Sequence, residues 1–298
     1  GVGAVLVFTA LAAAYARRRG RSGPQPTDAL DQDSGGASGG AGALAAGVVF
    51  ALTPGVLAFG TVAYSESAFL LLAVAGWWAY LAAEDRAGAD GRRCTRRLAL
   101  ASLLGGASVF VRHLGATLFL AWAVFELARI MRARSGTRGR ALVEAAVLGW
   151  AGLPVTAWFL WKFSVHDMAT IQEQVWDMRF VFLGAPAFLL TGSATRPALS
   201  PEFVVLIYMS LPLVLWLGWR ALRLDARLGL LTALGLILAL SYTGAAAQSF
   251  NRYAWSLWPL ALGVLGLRDR GAVWTVAGWL GLLSLWCVLG HVQGSAAL

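Results

Sequence analysis

The chain has 298 residues, of which 58% are hydrophobic and 13% charged, and its mean hydropathy is +0.67. Soluble domains carry about 25% charged residues, so this composition excludes an ordinary soluble domain and indicates an integral membrane protein. A net charge of +9 is compatible with nucleic-acid binding. The arginines, however, gather in short loops between apolar runs, and we expect no nucleic-acid partner. Two cysteines are too few for a disulfide framework or a thiolate metal site.

Ten apolar runs predict an all-α fold, a polytopic transmembrane helix bundle that forms one domain over residues 1–298. The runs are 1–16, 43–63, 67–83, 98–111, 115–131, 141–163, 203–219, 228–247, 253–267 and 271–290. About twenty helical residues span the hydrocarbon core. The runs 98–111 and 253–267 are short, so we expect them to share surface turns or to dip without crossing. The chain starts at Gly1 without an n-region, and we expect it to be N-terminally incomplete.

Two segments outside the runs have distinctive compositions. Residues 20–42 are rich in Gly, Ser, Pro and Asp, which predicts a flexible cytoplasmic loop. Residues 164–202 form the longest predicted outer loop. Within that loop, the spacing from Ile171 to Phe182 predicts an amphipathic helix lying on the membrane. The many tryptophans, such as Trp77-Trp78, are expected to anchor the helices at the membrane interface.

The basic residues divide unequally if every run crosses the membrane. One face receives 19 of them and the other receives five. The positive-inside rule places the richer face in the cytoplasm. Glu66, Arg112, the 164–202 loop and Arg252 then lie outside. We therefore expect a multi-pass protein of the cell membrane whose polar chemistry is on the extracytoplasmic side.

The polar segment Tyr64-Ser65-Glu66-Ser67 separates two apolar runs. Ionisable groups are costly near a membrane and are usually kept for a function, so Glu66 is a candidate catalytic or substrate-binding carboxylate. The alternative is a polar hairpin turn in which Glu66 is solvated. The spacing alone leaves both interpretations open.

Two arginines, Arg112 and Arg252, are further candidate site residues on the predicted outer side. Arg112-His113 interrupts an apolar stretch, and a guanidinium suits phosphate oxygens. The alternatives are an Arg112 side chain that snorkels to lipid headgroups and an ordinary interfacial His113. Arg252 closes a second polar cluster, for which an anionic headgroup is the natural partner. That cluster is alternatively an outer loop that happens to contain arginine.

His166-Asp167 is a candidate acid/base or ligand pair, or else part of a solvated loop. The chain has only three histidines and no HExxH spacing, which argues against a zinc hydrolase. Trp161 stands directly before Lys162, where a Walker A loop requires glycine, so that loop is excluded, and with it an ATP motor of the chain's own.

Taken together, these motifs resemble bacterial relatives of the second mannosyltransferase of GPI-anchor assembly, the phosphatidylinositol glycan class V family. This family belongs to the GT-C membrane glycosyltransferases. The resemblance runs from about residue 43 to 259, and its most specific part is the Tyr64-Ser65-Glu66-Ser67 segment. Its other matches are Pro54, Arg112 with Gly115, Asp167, Gln174, Trp176, Arg252-Tyr253 and Pro259. His113 and the inserted loop 20–42 depart from the family pattern.

The resemblance implies a GT-C-like enzyme that takes a sugar, usually mannose, from a polyprenyl phosphate and passes it to a glycan or glycolipid acceptor. The family's main acidic residue, usually in a Trp-Asp motif of the first outer loop, is expected upstream of Gly1. We expect Arg112 and Arg252 to bind the donor phosphate. Glu66 is expected to support that acidic residue or to bind the acceptor, and Asp167 is a second catalytic candidate. The expected substrate-binding residues are Tyr64, Ser65, His113, Gln174, Trp176, Gln248, Asn251 and Tyr253.

No cofactor is firmly implied, since the lipid-linked sugar is a substrate; no metal ligand is assigned, and the need for a divalent metal is left open. The competing class is a multi-pass transporter or lipid flippase, also a bundle of about ten spans. Transporters usually place ionisable residues near the membrane midplane, and the apolar runs carry none at their centres. A membrane-embedded scaffold or assembly factor is a third alternative.

Overall fold

The computed structural model describes most helical parts of the chain. The described residues are 2–21, 35–54, 56–57, 65–85, 87, 92–155, 157–158, 161, 178–180, 184, 201–244, 254, 256–265, 267 and 269–292. Within them the protein is helical apart from one ribbon of two three-residue strands. The predicted all-helical class is confirmed at this level.

Each predicted apolar run contains a described helix, but the bounds differ, since α2 ends within the run 43–63, α6 ends within the run 141–163, and α9 covers only four residues of the run 253–267. They are α1 (Val2–Arg21), α2 (Gly35–Ala51), α3 (Glu66–Asp85), α4 (Thr95–Val111), α5 (Ala116–Arg132), α6 (Ser135–Gly149), α7 (Pro201–Leu224), α8 (Ala226–Leu240), the one-turn α9 (Pro259–Leu262) and α10 (Arg270–Val292). A 3-10 turn, His113–Gly115, joins α4 to α5. The strands are β1 (Met178–Phe180) and β2 (Tyr242–Gly244).

Local chemistry sets several helix ends. α2 stops short of Pro54, and a residue that precedes proline is disfavoured in the helical region. α8 starts where the Asp225 side chain accepts a hydrogen bond of 2.9 Å from the backbone N–H of Arg227. This is an N-cap, which satisfies one of the backbone donors left open at a helix start.

α3 packs against α1 and α4. The α3–α4 contact is close because small residues meet there. A Cβ on Gly76 would lie 3.3 Å from the backbone nitrogen of Gly105. α5 and α6 pack on α4 and on each other, and α8 packs against α5 and α7. Such small-residue contacts are common between membrane helices, where close backbone approach replaces hydrophobic burial as a source of packing energy.

An aromatic cluster fills the core beside α3. The ring centroid of Trp77 lies 6.3 Å from that of Trp122 and 5.8 Å from that of Trp258. The Trp77 Nε1–H donates to the Tyr15 hydroxyl at 3.0 Å. The expectation that Trp77 anchors the membrane interface is therefore wrong, whereas its neighbour Trp78 is exposed. Adjacent helical residues point in directions about 100° apart, so one faces the core and the next faces outward.

The outward faces of the helices are strongly apolar. Leu153, Trp274 and Met131 are 75%, 68% and 66% exposed. Among the residues that the structure describes, two helices are long and apolar enough to be candidate membrane spans, Glu66–Asp85 and Gly271–Leu289. Gly40–Ala51 and Ala226–Leu240 are shorter apolar helices.

The predicted flexible loop 20–42 is wrong at both of its ends. α1 continues through Arg21 and α2 already begins at Gly35, while residues 22–34 lie outside the described part of the chain. A helix that is already nucleated lengthens without a new nucleus. The helix next to a Gly-rich segment can therefore extend into it, at about 1 kcal/mol per glycine relative to alanine.

The amphipathic helix predicted from Ile171 to Phe182 is wrong where the structure describes it. Residues 178–180 form β1, which pairs antiparallel with β2, with Arg179 opposite Thr243. The run 228–247 is likewise not one helix, because α8 ends at Leu240. The strands satisfy each other's backbone groups across more than sixty residues of sequence. Helical periodicity cannot anticipate so distant a partner. Residues 171–177 and 181–182 lie outside the described ranges.

Candidate functional site

Ion pairs gather the arginine-rich segments at one end of the bundle. Near the end of α1, an Arg18 Nη2 lies 2.7 Å from Asp85 at the end of α3. At the start of α8, the Arg227 Nη1 lies 2.6 Å from Glu84. We call this the arginine-rich end. It also holds the start of α4, the end of α5 and the start of α6, as the contacts of Arg93 and Arg129 described below show.

The Glu66–Arg112 ion pair lies at the opposite end of α3 and α4. The Arg112 Nη1 donates to the Glu66 Oε1, and the two side chains are 7% and 0% exposed. α3 has 20 residues, so its two ends are about 30 Å apart. Two residues that are 46 positions apart in sequence thus form one buried pair.

Helix ends position both partners of the pair. Glu66 is the first residue of α3, where a negative charge is favoured by the helix dipole. Arg112 follows α4 in an extended conformation, with φ −150° and ψ 134°, and its backbone N–H donates to the Ser108 carbonyl. The chain then turns back at once through the 3-10 turn, where the Gly115 N–H donates to the Arg112 carbonyl at 2.9 Å.

Gly115 is the residue that lets this turn close. A Cβ at this position would lie 2.5 Å from the Ser108 Oγ and 2.7 Å from the Val109 backbone nitrogen. Backbone atoms of α4 cannot move aside as a flexible side chain could. Glycine at 115 therefore allows α5 to start close against the last turn of α4, and Arg112 lies in the short connection between the two helices.

The burial of Glu66 and Arg112 decides between the alternative interpretations of these two residues. Glu66 is fully buried, so the solvated-turn interpretation is wrong. Arg112 points at a carboxylate within the bundle and is 8% exposed, so the snorkelling interpretation is wrong as well. A buried charge requires a partner. Each of these two residues supplies that partner for the other.

Most other expected site residues lie outside the described part of the chain. These are Tyr64, Asp167, Gln174, Trp176, Gln248, Asn251, Arg252 and Tyr253. Ser65 is exposed, and its carbonyl accepts the Phe69 N–H at 2.9 Å. His113 opens the 3-10 turn directly after Arg112. The structure thus brings Glu66 and Arg112 into contact and places Ser65 and His113 next to them along the backbone.

A second buried ionic cluster lies at the arginine-rich end. Arg93 donates through both of its terminal nitrogens to the two oxygens of Glu126, each at 2.7 Å. Its Nε donates to Glu144 at 2.9 Å. Arg129 donates to Glu144 at 2.6 Å and to Glu126 at 2.9 Å, and the Tyr80 hydroxyl donates to Glu126 at 3.2 Å. We call these five residues the Arg93 network.

The Arg93 network ties the α3–α4 connection to α5 and α6. Burial by itself would lower the pKa of the Arg93 guanidinium, but the hydrogen bonds and charge of Glu126, with a further bond to Glu144, outweigh it and raise that pKa. Arg93 therefore stays charged at every accessible pH. Two arginines balance two glutamates, so the cluster is close to neutral.

Sequence reasoning missed the Arg93 network, although a signal for it was present. Glu126 and Glu144 each lie about one turn inside an apolar run, close to an arginine-rich segment. A carboxylate in such a position must find a cation, since burying it alone is too costly. The sequence shows that several arginines are near, but it does not show which one makes the pair.

The described residues include no group of three or more His, Cys, Asp or Glu side chains that could hold a metal ion. Comparison of the chain with protein-family models, with curated proteins and with solved structures found no match. The likeness to the GPI mannosyltransferase II family is therefore carried by the motifs alone.

Proposed function

We propose that this chain is a membrane glycosyltransferase of GT-C-like architecture, with about ten membrane runs. In this proposal it moves a sugar, with mannose favoured, from a polyprenyl phosphate to a glycan or glycolipid acceptor. The reaction takes place on the extracytoplasmic side of the cell membrane. The proposal combines the motif resemblance with the unequal distribution of arginines between the two ends of the bundle described above.

The observation that carries the proposal is the buried Glu66–Arg112 pair at the end of the bundle opposite the arginine-rich end. By the positive-inside rule the arginine-rich end is cytoplasmic, so the pair belongs to the outer membrane boundary. A lipid-linked donor presents its phosphate at that level. Both residues of the buried ionic pair are thus among the motif residues that suggested the family.

The apolar outer surface supports the membrane placement. Large hydrophobic side chains remain exposed along α1, α4, α5, α6 and α10. Contiguous exposed apolar surface on a folded protein marks a surface that meets a partner or a membrane. Because such side chains occur on most of the described helices, lipid explains them better than a single docked protein.

The proposed reaction is an inverting transfer. A base removes the proton from the acceptor hydroxyl, the hydroxyl oxygen bonds to the anomeric carbon, and the carbon–oxygen bond to the phosphate breaks. The phosphate leaves with the electron pair. General-base help of this kind contributes about 10²–10⁴-fold, and cations stabilise the charge that develops on the leaving phosphate.

The Glu66–Arg112 ion pair changes which residue we expect to bind the donor phosphate and which residue we expect to support the base. Arg112 already shares its charge with Glu66, so the pair meets the donor with little net charge. Arg252 is then the principal phosphate-binding residue, and the Glu66–Arg112 pair positions the first turn of α3 and its Tyr64-Ser65 segment for the acceptor. Glu66 accordingly supports the base and does not serve as the base.

The experiment is transfer of mannose from polyprenyl-phosphate mannose by the protein expressed from its complete gene and placed in liposomes. Arg252→Ala is compared with Arg223→Ala, which removes the same charge from an exposed side chain at the arginine-rich end. The expected result is a loss of at least about 100-fold for Arg252→Ala, the scale of one lost transition-state contact, and little change for the control.

Unchanged turnover in the Arg252→Ala protein would show that Arg252 does not stabilise the donor phosphate during transfer. If the unaltered protein moves a lipid or solute across the liposome membrane but transfers no sugar, the transporter or flippase class replaces the transferase.

A further inference from the structure

A basic cavity lies between the end of α5 and the start of α6, away from the Glu66–Arg112 pair. Its volume is about 410 Å³. Three arginines, an apolar wall and one threonine line it. Its principal lining residues are Phe125, Ala128, Arg129, Arg132, Thr137 and Arg140. No acidic side chain is among the described residues that line this cavity.

Two of the three arginines that line the cavity do not belong to the Arg93 network. Arg129 donates to the Glu126 and Glu144 carboxylates, so its charge is already balanced. The segment from 126 to 144 nevertheless contains five arginines and only these two acidic residues. Arg132 and Arg140 are the further cations that face the same cavity. The first turn of α6, which supplies Thr137, adds the positive end of a helix dipole.

The surroundings of the cavity are amphipathic. Phe125 and Ala128 form an apolar wall beside the arginines. On the adjoining helix surfaces Leu127, Met131 and Leu142 are each more than half exposed. A small hydrophilic anion would gain nothing from the apolar wall. An amphiphile with a phosphate and acyl chains would contact both parts of the surface.

We propose that this cavity binds the headgroup phosphate of an anionic phospholipid, with Arg132 and Arg140 holding the phosphate oxygens and Phe125 contacting the start of an acyl chain. The proposal rests on the membrane placement given above, in which the arginine-rich end lies at the cytoplasmic headgroup level. It does not depend on the sugar-transfer chemistry. Basic pockets between membrane helices on the cytoplasmic side are a known mode of anionic-lipid recognition.

The test is native mass spectrometry of the intact protein in a neutral detergent, titrated with phosphatidylglycerol or with phosphatidylcholine. The site variant is Arg132→Gln/Arg140→Gln. The matched control is Arg134→Gln/Arg138→Gln, which removes the same charge from the same turn and the first turns of α6, at two exposed arginines that do not line the cavity.

We expect the unaltered protein to bind phosphatidylglycerol more tightly than phosphatidylcholine. An arginine near an anionic headgroup contributes about fivefold in affinity, so the site variant should lose about 25-fold. The control should change by no more than about threefold, as is typical of solvated surface charges.

Three results would overturn the proposal. Equal losses in the two double variants would show that only diffuse positive charge attracts the lipid. Equal binding of the two lipids would remove the role of the anionic headgroup. Displacement of phosphatidylglycerol by an excess of inorganic phosphate would show a site for free phosphate without lipid recognition. Sugar transfer is not measured here, so this test and the transferase assay can fail independently.

Discussion

The two ends of the bundle bury ionic groups in different ways. At the Glu66 end, one glutamate and one arginine form a pair between neighbouring helices. At the arginine-rich end, the Arg93 network joins two arginines, two glutamates and a tyrosine from three helices and a loop. A buried ion is held favourably only when its remaining hydrogen-bonding positions are also filled.

The two ends therefore differ in role. The Arg93 network holds helix ends together, and the Glu66–Arg112 pair belongs to the candidate site. The Arg93 network is satisfied by many short hydrogen bonds within itself, as expected of a group of residues that fixes helix ends. The Glu66–Arg112 pair adjoins the Tyr64-Ser65 segment and the 3-10 turn that opens with His113. Disruption of the Arg93 network should therefore cost stability alone, and disruption of the Glu66–Arg112 pair should cost function as well as stability.

The largest loss of stability is expected for Arg93→Met. It leaves two buried carboxylates with one arginine, and breaking a buried ion pair costs about 3–5 kcal/mol, of which we expect the upper part here. The free energy of unfolding in mixed detergent micelles measures the effect. Arg96→Met is the control, because Arg96 is an exposed residue of the same helix start. Similar values for the two variants would contradict the account of the Arg93 network.

The next effect is expected for Glu66→Gln, which leaves the buried Arg112 guanidinium without its carboxylate. We expect a loss of about 3 kcal/mol. The double variant Glu66→Gln/Arg112→Gln removes both charges and should recover a large part of that loss. A double-mutant cycle with Arg112→Gln gives the coupling, expected at about 1–3 kcal/mol. Additive single effects would show that the pair makes no net contribution.

A smaller effect is expected for Gly115→Ala. The new methyl group meets backbone atoms of α4, and overpacking of this kind costs about 1–3 kcal/mol. Gly149→Ala is the matched control, since a Cβ there meets nothing within 4 Å and alanine favours a helix by up to about 1 kcal/mol. Thermal unfolding should thus move in opposite directions for the two variants. An unchanged unfolding temperature for Gly115→Ala would show that the turn at this position does not require glycine.

The smallest effect is expected for Tyr15→Phe. The Tyr15 hydroxyl accepts from the Trp77 Nε1–H at 3.0 Å and donates to Asp225 at 3.3 Å. Its removal leaves a buried indole donor without its acceptor, which costs about 1–2 kcal/mol. Thermal unfolding of the purified protein measures this, and a change within error would show that another acceptor replaces the hydroxyl.

The sequence predicted most helix starts and placed Glu66 at the end of an apolar helix, because both depend on the local apolar pattern. It also placed Arg112 on the same side, since one helical hairpin separates the two residues. It did not predict the direct contact between them or the tight turn at Gly115. Those features depend on the helix rotation and backbone spacing that close packing of α3 against α4 fixes.

The wrong predictions have a common physical cause. The ribbon of β1 and β2, the inward rotation of Trp77 and the choice of Arg93 as partner of Glu126 all depend on residues distant in sequence. Composition shows which groups need partners, and tertiary packing decides which partners they receive. The start of α2 at Gly35 has a different, local cause, since helix propagation from an apolar segment extends into a segment whose own composition favours a loop.

The role of the Glu66–Arg112 pair in sugar transfer is measured by the initial rate of mannose transfer from polyprenyl-phosphate mannose in liposomes that contain the Glu66→Gln/Arg112→Gln protein. The control is Arg18→Gln/Asp85→Asn, which removes a partly exposed ion pair from the arginine-rich end. We expect the first variant to fold but to transfer mannose at least about 100-fold more slowly, and we expect the control to retain its rate. Equal rates in two folded variants would contradict the claim that the Glu66 end carries the reaction.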